Sequence, residues 1–195
     1  VSKTEETAAR MLRPIPVEPF KATRAGTIFH SMMEQRFAGL ARVLADNPEV
    51  DLADAGDELW AEQLDAVDLA EHQETIAELQ ATFATSKWAN QVPYAAEIEI
   101  QLAIANNIFI CKLDAVFATQ DANGNQRFEI VDWKTGKAPT DAQDIADRSL
   151  QLALYRLAFA TLKQIPLESV DACLYFVSEN QIVTPPVLLD RQQLL

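Results

Sequence analysis

The chain has 195 residues, with 16 Lys and Arg against 29 Asp and Glu, a formal charge of −13, and is 49% apolar and 23% charged. This balance excludes a disordered chain and suits one domain, at most one and a half, with a sizeable core. No apolar run reaches the ~18–20 residues of a membrane span, and two cysteines, Cys111 and Cys173, exclude a disulfide scaffold and a four-thiolate zinc or iron–sulfur site. The opening VSKTEETAAR lacks the apolar stretch of a secretory signal and reads as a cut from a longer polypeptide. A reducing cytoplasm is the expected setting. The acidity also counts against a free-standing nucleic-acid binder, which usually carries a basic footprint. Bound divalent cations or a neighbouring domain would have to offset that charge.

Residues 1–22 are polar, punctuated by Pro14, Pro16 and Pro19, and read as an arm or linker. From Thr27 to Leu44, the three- and four-residue recurrence of Phe29, Met32, Met33, Phe37, Leu40 and Leu44 predicts a helix, stopped by Asp46-Asn47-Pro48. Residues 49–90 are acidic and rich in helix formers, with Leu59, Trp60, Leu64, Val67, Ile76, Leu79 and Phe83 as the apolar set. Two or three amphipathic helices are expected there, with the charge run as a solvated face. Beyond Pro93, Tyr94–Ala105, Asn107–Thr119 and Arg127–Trp133 read as strands, with a hairpin turn at Asp121-Ala122-Asn123-Gly124-Asn125. Lys134 to Pro139 is a loop, Asp141–Lys163 a helix, and Asp171–Ser178 with Gln181–Leu188 a closing strand pair. Helices, a three-strand meander, a helix and then strands predict an α/β fold whose sheet is flanked by helices rather than doubly wound.

Four segments carry chemistry. In the strand ending Val131-Asp132-Trp133-Lys134, alternate side chains share a face, so Asp132 and Lys134 point one way and Val131 and Trp133 the other, into the core. An acid and a lysine so placed read as a carboxylate metal ligand beside an amine that orients a water. The plain alternative is a surface ion pair at a sheet end. Asp114 interrupts the apolar strand Ile108–Phe117, and the hairpin at Gly124 can set it opposite or diagonal to Asp132. Two carboxylates sharing a site suit a hard cation, Mg²⁺ or Mn²⁺; alternatively, Asp114 is an inward charge guarding an edge strand. His30, in the first turn of its predicted helix, is a ligand or a satisfied core histidine, and Glu34, one turn on, could orient its ring. Gln151 and Tyr155 lie at i and i+4 on one helix face, either facing the site or meeting backbone groups. His72 has no companion and receives no role.

Taken in order, Gly26-x-x-x-His30, Asp114 in a strand, Asp132-x-Lys134-Thr135-Gly136 and Gln151-x-x-x-Tyr155 resemble the RecB-type branch of the PD-(D/E)xK nucleases, over roughly residues 24–188. Within that branch the stretches Arg24–His30, Leu113–Phe117, Val131–Gly136 and Gln151–Ala158 are most similar to the C-terminal nuclease domain of actinobacterial AdnAB-like helicase–nucleases of the UvrD/RecB family. The resemblance implies that His30, Asp114, Asp132 and the Trp133 carbonyl hold the metal, that Lys134 positions the attacking water, and that Gln151 and Tyr155 support the site and touch the substrate strand. Glu34 and Thr135 would stand behind them. Glu97 or Glu99 matches an acidic position on the first strand, and both stay open. Leu113 replaces the Pro of the nominal signature, and Cys111 stands where relatives often have Gly. The two cysteines exclude the subtype with an iron–sulfur cluster.

The expectation is therefore a restriction-endonuclease-like mixed sheet flanked by helices, with an N-terminal helical region. Residues 1–22 would be an arm, 23–195 the nuclease domain, and 49–90 a helical insertion. Its activity would be Mg²⁺- or Mn²⁺-dependent hydrolysis of DNA, as an exonuclease within an ATP-dependent helicase–nuclease of break repair. Its partners would be a single-stranded DNA end, helicase domains of the same polypeptide and a second helicase–nuclease subunit, with no membrane. The alternatives are a catalytically silent nuclease-fold module used for strand guidance or packing, and an unrelated acidic interaction domain, which predicts Asp114 and Asp132 far apart.

Overall fold

The computed structural model describes residues 21–66, 72–104, 107–185 and 189. The predicted arm lies outside them except for Lys21 and Ala22, which belong to the first helix. That helix, α1, spans Lys21–Asp46 and starts earlier than its apolar pattern indicates. His30 consequently lies well inside it rather than in its first turn. The acidic segment forms two helices among the described residues, α2 (Leu52–Ala66) and α3 (Gln73–Ala84). Val67 lies outside the described residues, and so does the Leu64 side chain.

The strands fall close to their predicted places: β1 Ala95–Ile104, β2 Asn107–Gln120, β3 Gln126–Lys134, β4 Val170–Phe176 and β5 Gln181–Val183. Asp121 closes the β2–β3 hairpin by accepting the Asn123 and Asn125 amides at 2.8 and 2.9 Å, with Gly124 at φ +80. Helix α4 (Ala142–Lys163) links β3 to β4 and is capped by Asp141, whose carboxylate accepts the Asp144 amide at 2.8 Å. The predicted last strand is described only in part, since its residues 186–188 lie outside the described residues; within them β5 is short. It stops at Val183, ahead of Pro185, because a proline cannot donate to a ladder. A 3₁₀ turn, Val177–Glu179, ends β4 before Ser178.

The strand order is β1-β2-β3-β4-β5, antiparallel except for the β3–β4 pair joined by α4. This is the mixed sheet flanked by helices that the sequence predicts. Helices α1–α3 cover one face, where Phe29, Phe37, Trp60, Phe83, Trp88, Trp133 and Tyr175 form an aromatic core. Helix α4 covers the other with Leu152, Leu154, Leu157 and Phe159 against Ile130, Leu174 and Phe176. The 49–90 segment thus supplies buried core through Trp60, Ile76, Leu79 and Phe83.

Two irregularities open the sheet. The β2–β3 ladder ends at Ala115↔Val131, while β2 continues alongside β1 and β3 alongside β4. The sheet therefore forks just beyond that pair, at Asp114 and Asp132. At the same level Glu97 adopts a left-handed backbone, φ +48. Ala96 and Ala115 face the α1–α3 core, yet Ile98 and Leu113, two residues away, face the α4 core. No residue is inserted, since Ala96↔Ala115 and Ile98↔Leu113 keep one register. Both strands turn over together around Glu97 and Asp114. The turnover lets the projecting β1–β2 hairpin lay Ile100, Leu102, Cys111 and Leu113 on α4. Had the period-2 alternation continued, those side chains would face away from that helix.

Two stability outcomes follow. Phe83 meets the rings of Phe29, Phe37, Trp60, Trp133 and Tyr175, so Phe83→Ala should cost about 3–5 kcal/mol in urea unfolding. A loss under about 1 kcal/mol would contradict the packing. Glu97→Gly and Glu97→Ala both delete the carboxylate, but only Gly relieves the left-handed strain. The Gly variant should be the more stable by about 1 kcal/mol, and equal stabilities would contradict the turnover.

Candidate metal centre at the fork of the sheet

The fork leaves the Trp133 amide without a strand partner on the β2 side. Asp114 takes that place: its Oδ2 accepts the Trp133 N–H at 2.7 Å. The other carboxylate oxygen, Oδ1, lies 3.4 Å from His30 Nδ1. The same nitrogen stands 3.7 Å from Glu97 Oε1, because the turnover at Glu97 swings that carboxylate toward α1. His30, Glu97 and Asp114 each offer a ligand atom, all within 4.8 Å of one another, and such a group could hold a metal ion.

Asp132 completes the cluster from β3. It is 2% exposed, which is rare for an acid without a role or a partner. Its Oδ1 is 3.5 Å from Gln151 Nε2, which donates to the Tyr155 hydroxyl at 2.7 Å. Its Oδ2 lies 2.5 Å from Lys134 Nζ as an ion pair. One imidazole with three carboxylates is a donor set for a hard or borderline divalent ion.

The charges confirm how crowded the cluster is. Burial works against protonation of His30, but the Asp114 and Glu97 carboxylates outweigh it and raise its pKa from 6.5 to about 10. Burial pushes Asp132 up, the Lys134 charge pulls it down, and neighbouring Asp114 pushes it up again, for a net rise. Tyr155 is raised by burial and then by the Asp132 charge, so its hydroxyl stays protonated. Protons take up part of the negative charge that a cation would otherwise balance.

The structure brings His30, Asp114, Asp132, Lys134, Gln151 and Tyr155 together from α1, β2, β3 and α4. Asp114 and Asp132 are neighbours across the fork, against the expectation of an unrelated acidic domain. Of the two open glutamates, Glu97 stands at the cluster, whereas Glu99 is turned to solvent with Lys112 at 3.5 Å. Thr135 lies behind the site: a Cβ built on Gly26 would come within 3.0 Å of its Oγ1, so the bare glycine lets the loop approach α1. From the sequence, Glu34 is expected to orient the His30 ring or stand behind the site. Glu34 is exposed, and the described acids that meet the His30 ring are Glu97 and Asp114. His30 faces the sheet, where carboxylates from β1 and β2 reach its ring. Cys111 is fully buried, with its Sγ 3.9 Å from the Leu154 carbonyl, so it fills the α4 interface rather than crowding the site. His72 stands at the N-cap of α3 and makes no side-chain cap bond.

No curated protein matches the chain. The family comparison is different, because the model of the PD-(D/E)XK nuclease superfamily matches residues 6–193, nearly the whole sequence. The chain therefore belongs to the PD-(D/E)XK nuclease superfamily.

Proposed function

We propose that this chain is the cutting module of a helicase–nuclease, a Mg²⁺- or Mn²⁺-dependent exonuclease acting on single-stranded DNA ends during double-strand break processing and recombinational repair. Members of the superfamily are usually nucleases that act on DNA with divalent metal ions. The finer reading is a RecB-type domain similar to those of AdnAB-like enzymes. It is supported by the order of the Gly26-x-x-x-His30, Asp132-x-Lys134-Thr135-Gly136 and Gln151-x-x-x-Tyr155 motifs. On that reading, residues 23–195 are the nuclease domain of a longer cytoplasmic chain that carries helicase domains and pairs with a second helicase–nuclease subunit. Among the described residues no helix is long and apolar enough to cross a membrane.

The observation that carries the proposal is the convergence of one imidazole and three carboxylates beside an amine, where the β2–β3 ladder ends. His30, Glu97, Asp114 and Asp132 would hold the cation. The Trp133 carbonyl would join them, since in an extended strand it leaves on the same side as the amide bound by Asp114. When bound, the cation supplies Lewis acidity and positive charge at the scissile phosphate. Lys134, two residues from Asp132 on the same face, would hold the attacking water in line. Gln151 would keep the Asp132 carboxylate in place and, with Tyr155, border the substrate strand. Thr135 would brace the loop against α1.

Mn²⁺ at about a hundredfold excess over its Kd should raise the melting temperature of the wild-type chain by about 5–10 °C, and Asp114→Ala or Asp132→Ala should abolish the rise. Lys134→Ala should keep the rise but cut labelled single-stranded DNA at least ~10³-fold more slowly. Metal-dependent cutting that survives Asp132→Ala would refute the assignment. A wild-type chain indifferent to Mn²⁺ and unable to cut would favour the catalytically silent module.

A further inference from the structure

Most basic groups on the two faces of the sheet are engaged. Arg36 donates to the Gly56 and Ala89 carbonyls, Arg127 to Asp171, and Arg156 to the Val170 and Leu167 carbonyls. Lys87 pairs with Glu129, Lys112 with Glu99 and Lys134 with Asp132. Arg148 differs. It is half-buried on α4, and its guanidinium carbon lies 5.7 Å over the Phe176 ring, with no ion pair or side-chain hydrogen bond to the described residues. A planar fork of N–H donors held against a ring with no acceptor costs desolvation unless an anion meets it.

Its position says which anion. Arg148 is one helical turn before Gln151, whose amide reaches Asp132. Phe176, the ring beneath it, is the β4 register partner of Lys134. Paired strands lie ~4.8 Å apart, and Phe176 faces α4, as Asp132 and Lys134 do. The guanidinium therefore flanks Lys134 on the side away from the carboxylates. In a chain of net charge −13, it is a cation on the helix that carries Gln151, with its guanidinium over an aromatic ring. The Phe176 ring, 5.7 Å from the guanidinium carbon, restricts the side chain on one side, and a guanidinium can meet a phosphate with two N–H donors.

Resting on the nuclease reading above, we propose that Arg148 is a substrate-binding residue that grips one backbone phosphate of the strand beside the scissile bond. Lys134 and Arg148 then divide two tasks. One faces the reacting position, while the other fixes the register of the strand across the β3–α4 loop. The contact is to a phosphodiester and carries no base preference.

The test uses the full chain and a fluorescent (dT)₁₂ at low salt with Ca²⁺, read by anisotropy. Arg148→Met keeps the stem on Phe176 and removes the charge. It should weaken binding about tenfold and flatten the log Kd against log salt slope by about 0.7, the share of one single-strand phosphate. A series of oligonucleotides, each with one methylphosphonate, should show a single position that weakens the wild type and has no effect on Arg148→Met. Arg148→Gln gives a second reading should the Met variant melt early. Unchanged Kd and slope in a folded variant, or wild-type binding too weak to measure, would overturn the proposal. Lys134-dependent cutting by the wild type is scored separately, so the nuclease reading stands or falls without Arg148.

Discussion

The hydrogen bond from the Trp133 amide to the Asp114 carboxylate is the interaction on which the site depends. Where the β2–β3 ladder stops, a buried N–H would otherwise lack a partner, at a cost of ~1–3 kcal/mol. Asp114 supplies the acceptor from a side chain instead of a strand. This lets the two strands part without a penalty at the point of parting. It also fixes the carboxylate, since one oxygen bound to backbone leaves the other aimed at His30. The sheet therefore opens at the same place where its acids are held.

The opening is supported from both faces. On one side Trp133 is locked by Phe37, Phe83, Trp88 and Tyr175. On the other, α4 anchors Gln151 and Tyr155 through Leu152, Leu154 and Leu157. Each polar residue of the cluster thus has apolar neighbours on its own element that fix its direction. The paired turnover at Glu97 and Asp114 adds the remaining carboxylate, and the hairpin beyond it still packs on α4 rather than hanging free. Strain at one residue is compensated by burial of Ile100, Leu102, Cys111 and Leu113.

Much of this was legible in the sequence, and the exceptions have physical reasons. The alternation of Val131, Asp132, Trp133 and Lys134 placed acid and amine on one face because β3 keeps a strict period of two. The same rule fails for β1, where it puts Ala96 and Ile98 on one face. Glutamate gives no signal for a left-handed backbone, so neither the turnover nor the choice of Glu97 over Glu99 could be read. Helical spacing sees only its own helix, so it could not show that carboxylates from two strands reach His30. The start of α1 was missed since Lys21, Ala22 and Thr23 carry no apolar period. For β5, Pro185 follows the described strand closely, and Val187 and Leu188 lie outside the described residues.

Electrostatics brings the chemistry and the acidity into one account. Desolvation of Asp132 and repulsion from Asp114 both disfavour charge at the cluster, and His30 is held protonated against its burial. A divalent ion held there would replace that proton and bring more charge to the same place. Much of the basic complement is tied into pairs such as Lys87–Glu129 and Arg127–Asp171, which cannot also serve a strand. A domain of charge −13 then gains little from long-range attraction of DNA. Binding has to come from contacts made once the strand has arrived, at the cation and at the few groups around the fork. On the function proposed above, another domain would deliver that strand, and the fork would have only to hold it.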